Sequence, residues 1–326
     1  MRIRSVTASL LIASFVFALG APTFACAQAW PLRPVRFIVP FAPGGANDIA
    51  ARLLARPLTE RWGQTVIVEN RAGAAGNIAA VDAAKAAPDG YTLFFTAGAV
   101  VTANEFIYPN LGFIPVKDFV GVTGVARGPQ LIVVPVDSPY RTVQELIVAA
   151  KSRPGVLTFG HAGVGSQTHL AAENFLLAAG IDAQNIPYKG EGPALTDLLS
   201  GQLSFVTPNI AAAINFVTQG KLRALAVTSK VRSVQLPEVP AAAEALPGFE
   251  NTGWFGLVAP STTPRTILEK VATDTAEALD SAGMRARFYV QGMQVMTETL
   301  AAMDQMMAAE RRLWSRVVRE RKIAVR

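Results

Sequence analysis

The sequence predicts an α/β fold with two hydrophobic cores, and three observations carry that expectation. Short apolar runs alternate with stretches whose apolar residues recur at helical spacing. Glycine-rich turns follow several of those runs. The chain has 326 residues, enough for two domains of roughly 150 residues each, yet no flexible linker or low-complexity block divides it. Strands alternating with helices argue for α/β layering with mostly parallel sheets. The chain then crosses between its cores on extended segments, for which Val125 to Val134 and Gly253 to Ala259 are the candidates.

The first elements belong to export. Met1 to Arg4 is a short basic stretch, and the apolar run from Ala8 to Leu19 covers roughly 12 residues, short of the roughly 20 that span a bilayer. Ala25-Cys26-Ala27 supplies the small residues of a cleavage site, so residues 1–27 read as a signal peptide with a mature start at Gln28, or at Trp30 if Ala27-Gln28-Ala29 is used. Cys26 raises a lipoprotein alternative, against which Thr23 stands where an aliphatic residue is wanted. The mature chain then has no cysteine, which suits an oxidising compartment.

In the body, Val35 to Val39 reads as a strand and Ala50 to Trp62 as a helix. Thr65 to Val68 and Tyr91 to Phe95 are further strands, with a helix near Ile78 to Ala87 between them. Leu131 to Val134, Leu157 to Gly160, Leu203 to Val206 and Ala224 to Val227 are short buried strands. Thr142-Val-Gln-Glu145 matches a capping box and starts a helix near Val143. Thr266 to Leu279 and Leu300 to Glu320 are amphipathic helices. The arginines at 311, 312, 316 and 319 suit the solvated C-terminal turn of the second, and Met303, Met306 and Met307 suit core packing.

Composition removes several function classes. At 51% hydrophobic and 17% charged the chain is not a disordered one. One cysteine and two histidines exclude a disulfide framework and leave no ordinary zinc ligand set. The net charge of +6 is spread without a Lys/Arg block, so no nucleic-acid partner is expected. No phosphate-cradling or dinucleotide fingerprint is present, and no cofactor is expected.

What remains is a set of three turns with one grammar of strand, small residues and helix. These are Pro40 to Asp48, Thr96 to Gly98, and Gly160 to His169. Small residues let backbone N–H groups approach a ligand, and the helix start behind them carries partial positive charge. Each turn alone is equally a tight connection, but three together suggest a carboxylate site between lobes at the carboxyl ends of strands. Ser166 and His169, with Asp48, allow a hydrolase triad to be imagined, although no nucleophile elbow is present.

The segment Trp30-Pro-Leu-Arg-Pro-Val-Arg-Phe-Ile-Val-Pro-Phe-Ala-Pro-Gly-Gly-Ala-Asn-Asp48 resembles the opening of the Bug family, the periplasmic solute receptors of tripartite tricarboxylate transporters. The likeness continues through Gly63 to Asn77, Pro88 to Leu93, His169 to Ala171, Pro187 to Gly190, Pro193 to Leu199, Gly220 to Ser229, Leu246 to Phe249 and Trp254 to Pro260. The resemblance implies an α/β, two-lobed periplasmic binding fold, type II-like, with a hinge between lobes. Lobe 1 would comprise residues 28–128 and 254–326, and lobe 2 residues 129–253. It further implies that Phe41, Ala42, Gly44 and Gly45 with Asp48, and Gly163, Gly165, Ser166, Gln167 and Thr168, grip one carboxylate. Ala97, Gly98, Pro208 and Asn209 would line the rest of the pocket. His161 and Pro208 depart from the family pattern, which often has a small hydroxyl residue and an acid there. An imidazole at 161 touching the ligand would strengthen anion binding as pH falls, whereas a neutral, packed one would not.

The expected function is an extracytoplasmic receptor, not an enzyme, and a monomer. Its ligand is expected to be a mono-, di- or tricarboxylate or an amino acid, delivered to membrane transporter subunits. A ligand sensor docking on a signalling receptor and a serine hydrolase are the competing readings.

Overall fold

The computed structural model describes residues 30–321 and 323–324; the leader, Cys26 and the Gln28 start lie outside the described residues. The elements follow in order as β1 (Val35–Val39), α1 (Ala46–Trp62), β2 (Val66–Asn70), α2 (Asn77–Ala84), β3 (Thr92–Ala97), α3 (Gly98–Thr102), α4 (Pro115–Asp118) and β4 (Phe119–Pro129). Then come β5 (Leu131–Pro135), α5 (Val143–Ser152), β6 (Thr158–His161), α6 (Gln167–Ala179), β7 (Gln184–Pro187), α7 (Glu191–Leu199), β8 (Phe205–Val206), α8 (Ile210–Thr218) and β9 (Leu222–Val227). The chain closes with α9 (Ala242–Ala245), β10 (Thr252–Pro260), α10 (Arg265–Asp280), α11 (Ala282–Val290), β11 (Gln294–Val295) and α12 (Leu300–Arg321).

The fold is α/β and two-lobed, each lobe built on its own sheet. A six-stranded sheet runs β11-β4-β10-β3-β1-β2, and a five-stranded sheet runs β7-β6-β8-β5-β9. Neither is mostly parallel, which corrects the sequence expectation. β1 pairs in parallel with β2 and β3, but β10 lies antiparallel between β3 and β4. In the second sheet β6 is parallel to β7 and β8, while β5 is antiparallel to β8 and β9. The reason is topological. Strands joined by a crossover helix return in the same direction, whereas β4 and β10 carry the chain out of the first sheet and back, and so run opposite ways.

Local chemistry explains the helices that matter. α1 buries Ala50, Ala51, Leu54, Leu58 and Trp62, a stripe at helical spacing, and Gly63 ends it in the left-handed conformation at φ 61°. Thr142 caps α5 by accepting the Glu145 N–H at 3.1 Å. The reciprocal arm of the expected box shifts by one residue, because the Glu145 carboxylate takes the Arg141 N–H at 2.6 Å. Ser166 caps α6 by accepting the His169 N–H at 3.2 Å.

Aromatic side chains pack in the core of each lobe. Phe37 and Phe95, fully buried, stack at 6.0 Å in the first lobe. Phe159 stacks on Phe205 at 5.7 Å, and Phe175 meets Phe205 edge-on at 6.2 Å in the second. Burying such a side chain stabilises the fold by about 1.5–3 kcal/mol. Met303, against Gly121 and Gly256, and Met307 are buried in the first lobe as core residues.

Candidate functional site

Four helices begin at one point between the two sheets. α1 starts behind Gly45, α6 behind Ser166, α7 behind Gly190 and α8 behind Asn209. The first amides of a helix have no intrahelical acceptor and sit at its positive end. Their convergence makes the space between them a place for negative charge. Phe41, Asn47, Ala97, Ala162, Ser166, Gln167, Thr168, Glu191, Asn209 and Phe255 line that space, and its volume is about 10 Å³. That is room for about one water molecule, so the lobes are shut.

The charge at this point comes from the chain itself. Glu191, 6% exposed, opens α7 and reaches across the cleft. Its Oε2 accepts the Ala46 N–H of α1 at 2.7 Å. Its Oε1 accepts the Asn209 N–H at 2.6 Å and the Asn209 amide at 2.8 Å. Burial pushes its pKa above the usual carboxylate value, opposed by the donors from Asn209 and Ala46. Asn47, 2% exposed, has neither amide atom paired among the described residues. Ser166 Oγ and Thr168 Oγ1 lie 3.1 Å apart, and Thr168 Oγ1 also accepts the Ala162 N–H at 2.9 Å.

Further bonds cross between the lobes. The Gln167 amide oxygen accepts the Trp254 N–H at 2.9 Å and the Gly253 N–H at 3.2 Å. Gly253 permits this only because it lacks a Cβ, which would fall 0.9 Å from that amide. Ala42 N–H donates to the Lys189 carbonyl at 3.0 Å, and the Tyr108 hydroxyl to the Val164 carbonyl at 2.6 Å. Outside this seam a groove of about 520 Å³ runs between residues 73–75 with Tyr108 and residues 163–164 with 187–189.

Of the residues expected from sequence, Phe41, Ala97, Ser166, Gln167, Thr168 and Asn209 line the inner cavity. Gly45 faces the Glu191 carboxylate, and the Ala42 backbone borders Gly190. Gly163 lines the outer groove. Gly165, at φ +88°, packs against the Asn104 side chain.

His161 does not line the cavity, which corrects the expectation placed on it. Side chains alternate along a strand, so His161 shares a face with Phe159 and lies beneath α6. Its ring centroid is 5.6 Å from that of Phe159 and 4.4 Å from that of His169. Burial, and then the neighbouring His169, lower its pKa to about 3. Its Nδ1 accepts the Gly163 N–H at 3.1 Å.

Asp48 is also turned away, folded back on its own loop to accept Gly44 N–H at 3.1 Å, Arg52 at 3.0 Å and Asn70 at 3.0 Å. It shapes the first turn, whose Gly44 amide it occupies. Gly98 seats the Trp254 ring, which a Cβ would meet at 2.5 Å. Pro208 is buried but is not among the residues lining the inner cavity, and its carbonyl accepts the Leu131 N–H at 2.9 Å. No triad forms either: Ser166 Oγ accepts the His169 backbone N–H, while His169 Nδ1 accepts Gly165 N–H at 3.2 Å.

Sequence reasoning missed Asn47, Ala162, Glu191 and Phe255. Asn47 stood inside the quoted opening segment. Nothing in the sequence marked Glu191, which lies between the motifs Pro187 to Gly190 and Pro193 to Leu199.

Comparison with known proteins decides the family. The family model of the tripartite tricarboxylate transporter family receptor matches residues 50–323. The chain belongs to that receptor family. Its relatives include the protein BugT of Bordetella pertussis, 38% identical over 315 residues, covering 95% of this chain and 96% of that one. The receptor superposes on an R. palustris protein solved with adipate, with a TM-score of 0.88 and 35% identity over 91% of this chain and all of that one. MatC from Rhodopseudomonas palustris with bound malate gives a TM-score of 0.84 at 33% identity, over 89% of this chain and all of that one. The periplasmic binding protein BugD gives 0.87 at 31%, over 91% of this chain and all of that one. The family is one of receptors, not enzymes.

Proposed function

We propose that this receptor is exported to the periplasm, closes its two lobes over a small organic carboxylate and delivers it to the membrane subunits of a tripartite tricarboxylate-type transporter. The lobes divide at residues 128/129 and 253/254, and residues 1–27 are removed on export. One observation carries the reading: the N-termini of α1, α6, α7 and α8 meet at a buried point where the Asn47 amide has no partner among the described residues. Oriented backbone donors and an uncommitted amide suit an anion whose oxygens replace water. Relatives solved with adipate and with malate support the ligand class. A thermal-shift screen of organic acids and neutral sugars tests it, because a ligand of the native state raises apparent stability. Acids raise the melting temperature and sugars do not; a response to sugars alone overturns the proposal.

A further inference from the structure

We infer that Glu191 takes the seat of one ligand carboxylate, so that this receptor selects a small monocarboxylate carrying a hydrogen-bond donor, an amino or hydroxy acid, over any dicarboxylate. The inference rests on the proposed function and narrows it.

The geometry of Glu191 is that of a bound ligand. A free carboxylate at this point would be held by the first amide of α1 and by the N-cap of α8, and these are the groups that hold Glu191 at 2.6–2.8 Å. The bonds come from both lobes, as a captured solute's would. Closure around it leaves about 10 Å³, so the lobes part for any acid to enter beside it.

The chemistry left over has two ends. On one side, the N–H groups of Gln167 and Thr168 open α6 beside the Ser166 and Thr168 hydroxyls, a seat for a single carboxylate. On the other side stand acceptors. A carboxylate offers about four lone-pair sites and Glu191 uses three, while Asn47 Oδ1 has no partner among the described residues. A ligand donor, ammonium or hydroxyl, satisfies both. A second ligand carboxylate placed there meets the Glu191 charge where no water screens it, a juxtaposition that lowers affinity by roughly 100-fold or more.

Calorimetric titration of the mature protein tests this with glycine, β-alanine and lactate against succinate, malate and adipate. The native protein binds at least one monoacid, and every diacid roughly 100-fold more weakly. In Glu191→Ser the emptied seat accepts a ligand carboxylate, and diacid affinity rises at least about tenfold. In Glu191→Gln one oxygen becomes a donor facing donors, so diacids gain less than in the serine variant. The native arm stands alone if a variant does not fold. Native protein binding malate or adipate as tightly as any monoacid overturns the inference and leaves the receptor proposal intact. Diacids bound only by the variant, with no monoacid bound by the native protein, overturn the ligand class. Failure of both proteins to bind any acid overturns the carboxylate-receptor proposal and the inference with it.

Discussion

Replacing Gly253 by alanine tests the clasp that draws α6 onto β10. The new methyl falls 0.9 Å from the end of the Gln167 amide and 1.9 Å from its Cδ, so the glutamine has to leave. The backbone adds no strain of its own, since Gly253 is not among the positive-φ glycines. The N–H groups of Gly253 and Trp254 then lose the oxygen that accepted them. A buried donor left unpaired costs about 1–3 kcal/mol, so the pair disfavours the shut form by about 2–6 kcal/mol. At 1.4 kcal/mol per tenfold, the closing equilibrium moves by about 30-fold or more. Opening the cleft restores water to both amides and relieves the loss. Small-angle scattering of Gly253→Ala should therefore show a larger radius of gyration than the native protein. Chemical denaturation of Gly253→Ala, Gln167→Ala and the double variant supplies the energetic check. Once Gln167 is gone, the alanine displaces nothing, and the double variant should fall short of the summed losses by about 2 kcal/mol or more. Strict additivity, or native size and stability in Gly253→Ala, would refute the reasoning.

Three further outcomes follow from named groups. Asp274, 5% exposed, accepts Trp62 Nε1 at 2.7 Å, Arg61 at 2.8 Å and Lys270 at 2.9 Å; Asp274→Ala should cost about 1–3 kcal/mol by denaturant titration, since the buried Trp62 N–H loses its acceptor while water takes up the half-exposed Arg61 and Lys270. Its pKa is lowered: burial pushes it up, but the bonds from Lys270, Arg61 and Trp62 outweigh that. The stability Asp274 contributes is therefore present above its unfolded-state pKa and is lost as pH falls through the folded value. His161, held to about 3 by burial, stays neutral from pH 5.5 to 8, so calorimetry of a bound acid should give the same pH dependence for native protein and His161→Ser. Its effect appears in stability instead. The unfolded imidazole binds protons between about 3 and the ordinary 6.5, so stability falls as pH drops below 6.5, and less so in His161→Phe. Thr142→Ala, which removes the cap on α5, should cost about 1 kcal/mol in a thermal melt.

Most of the elements were legible in the sequence, because a strand or helix leaves its period in the few residues that form it. Val35 to Val39, the cap at Thr142 and the long C-terminal helices were each readable from neighbours alone, and the ordered motifs from Trp30 to Pro260 carried the family. Two cores followed from the chain length, whereas the segment expected to cross between them at Gly253 to Ala259 lies within β10, inside the first sheet. The candidate site was legible only as a neighbourhood. Position on a glycine-rich turn placed Asp48 and His161 beside the ligand, whereas strand alternation sent His161 under α6 and the first turn drew Asp48 back onto Gly44. The decisive residue, Glu191, carries no such local mark, since its partner Ala46 lies 145 residues away. Sequence reports which backbone conformations neighbouring residues favour; which acid fills a pocket built from four helix starts is set by packing between distant segments, and only the tertiary structure contains that.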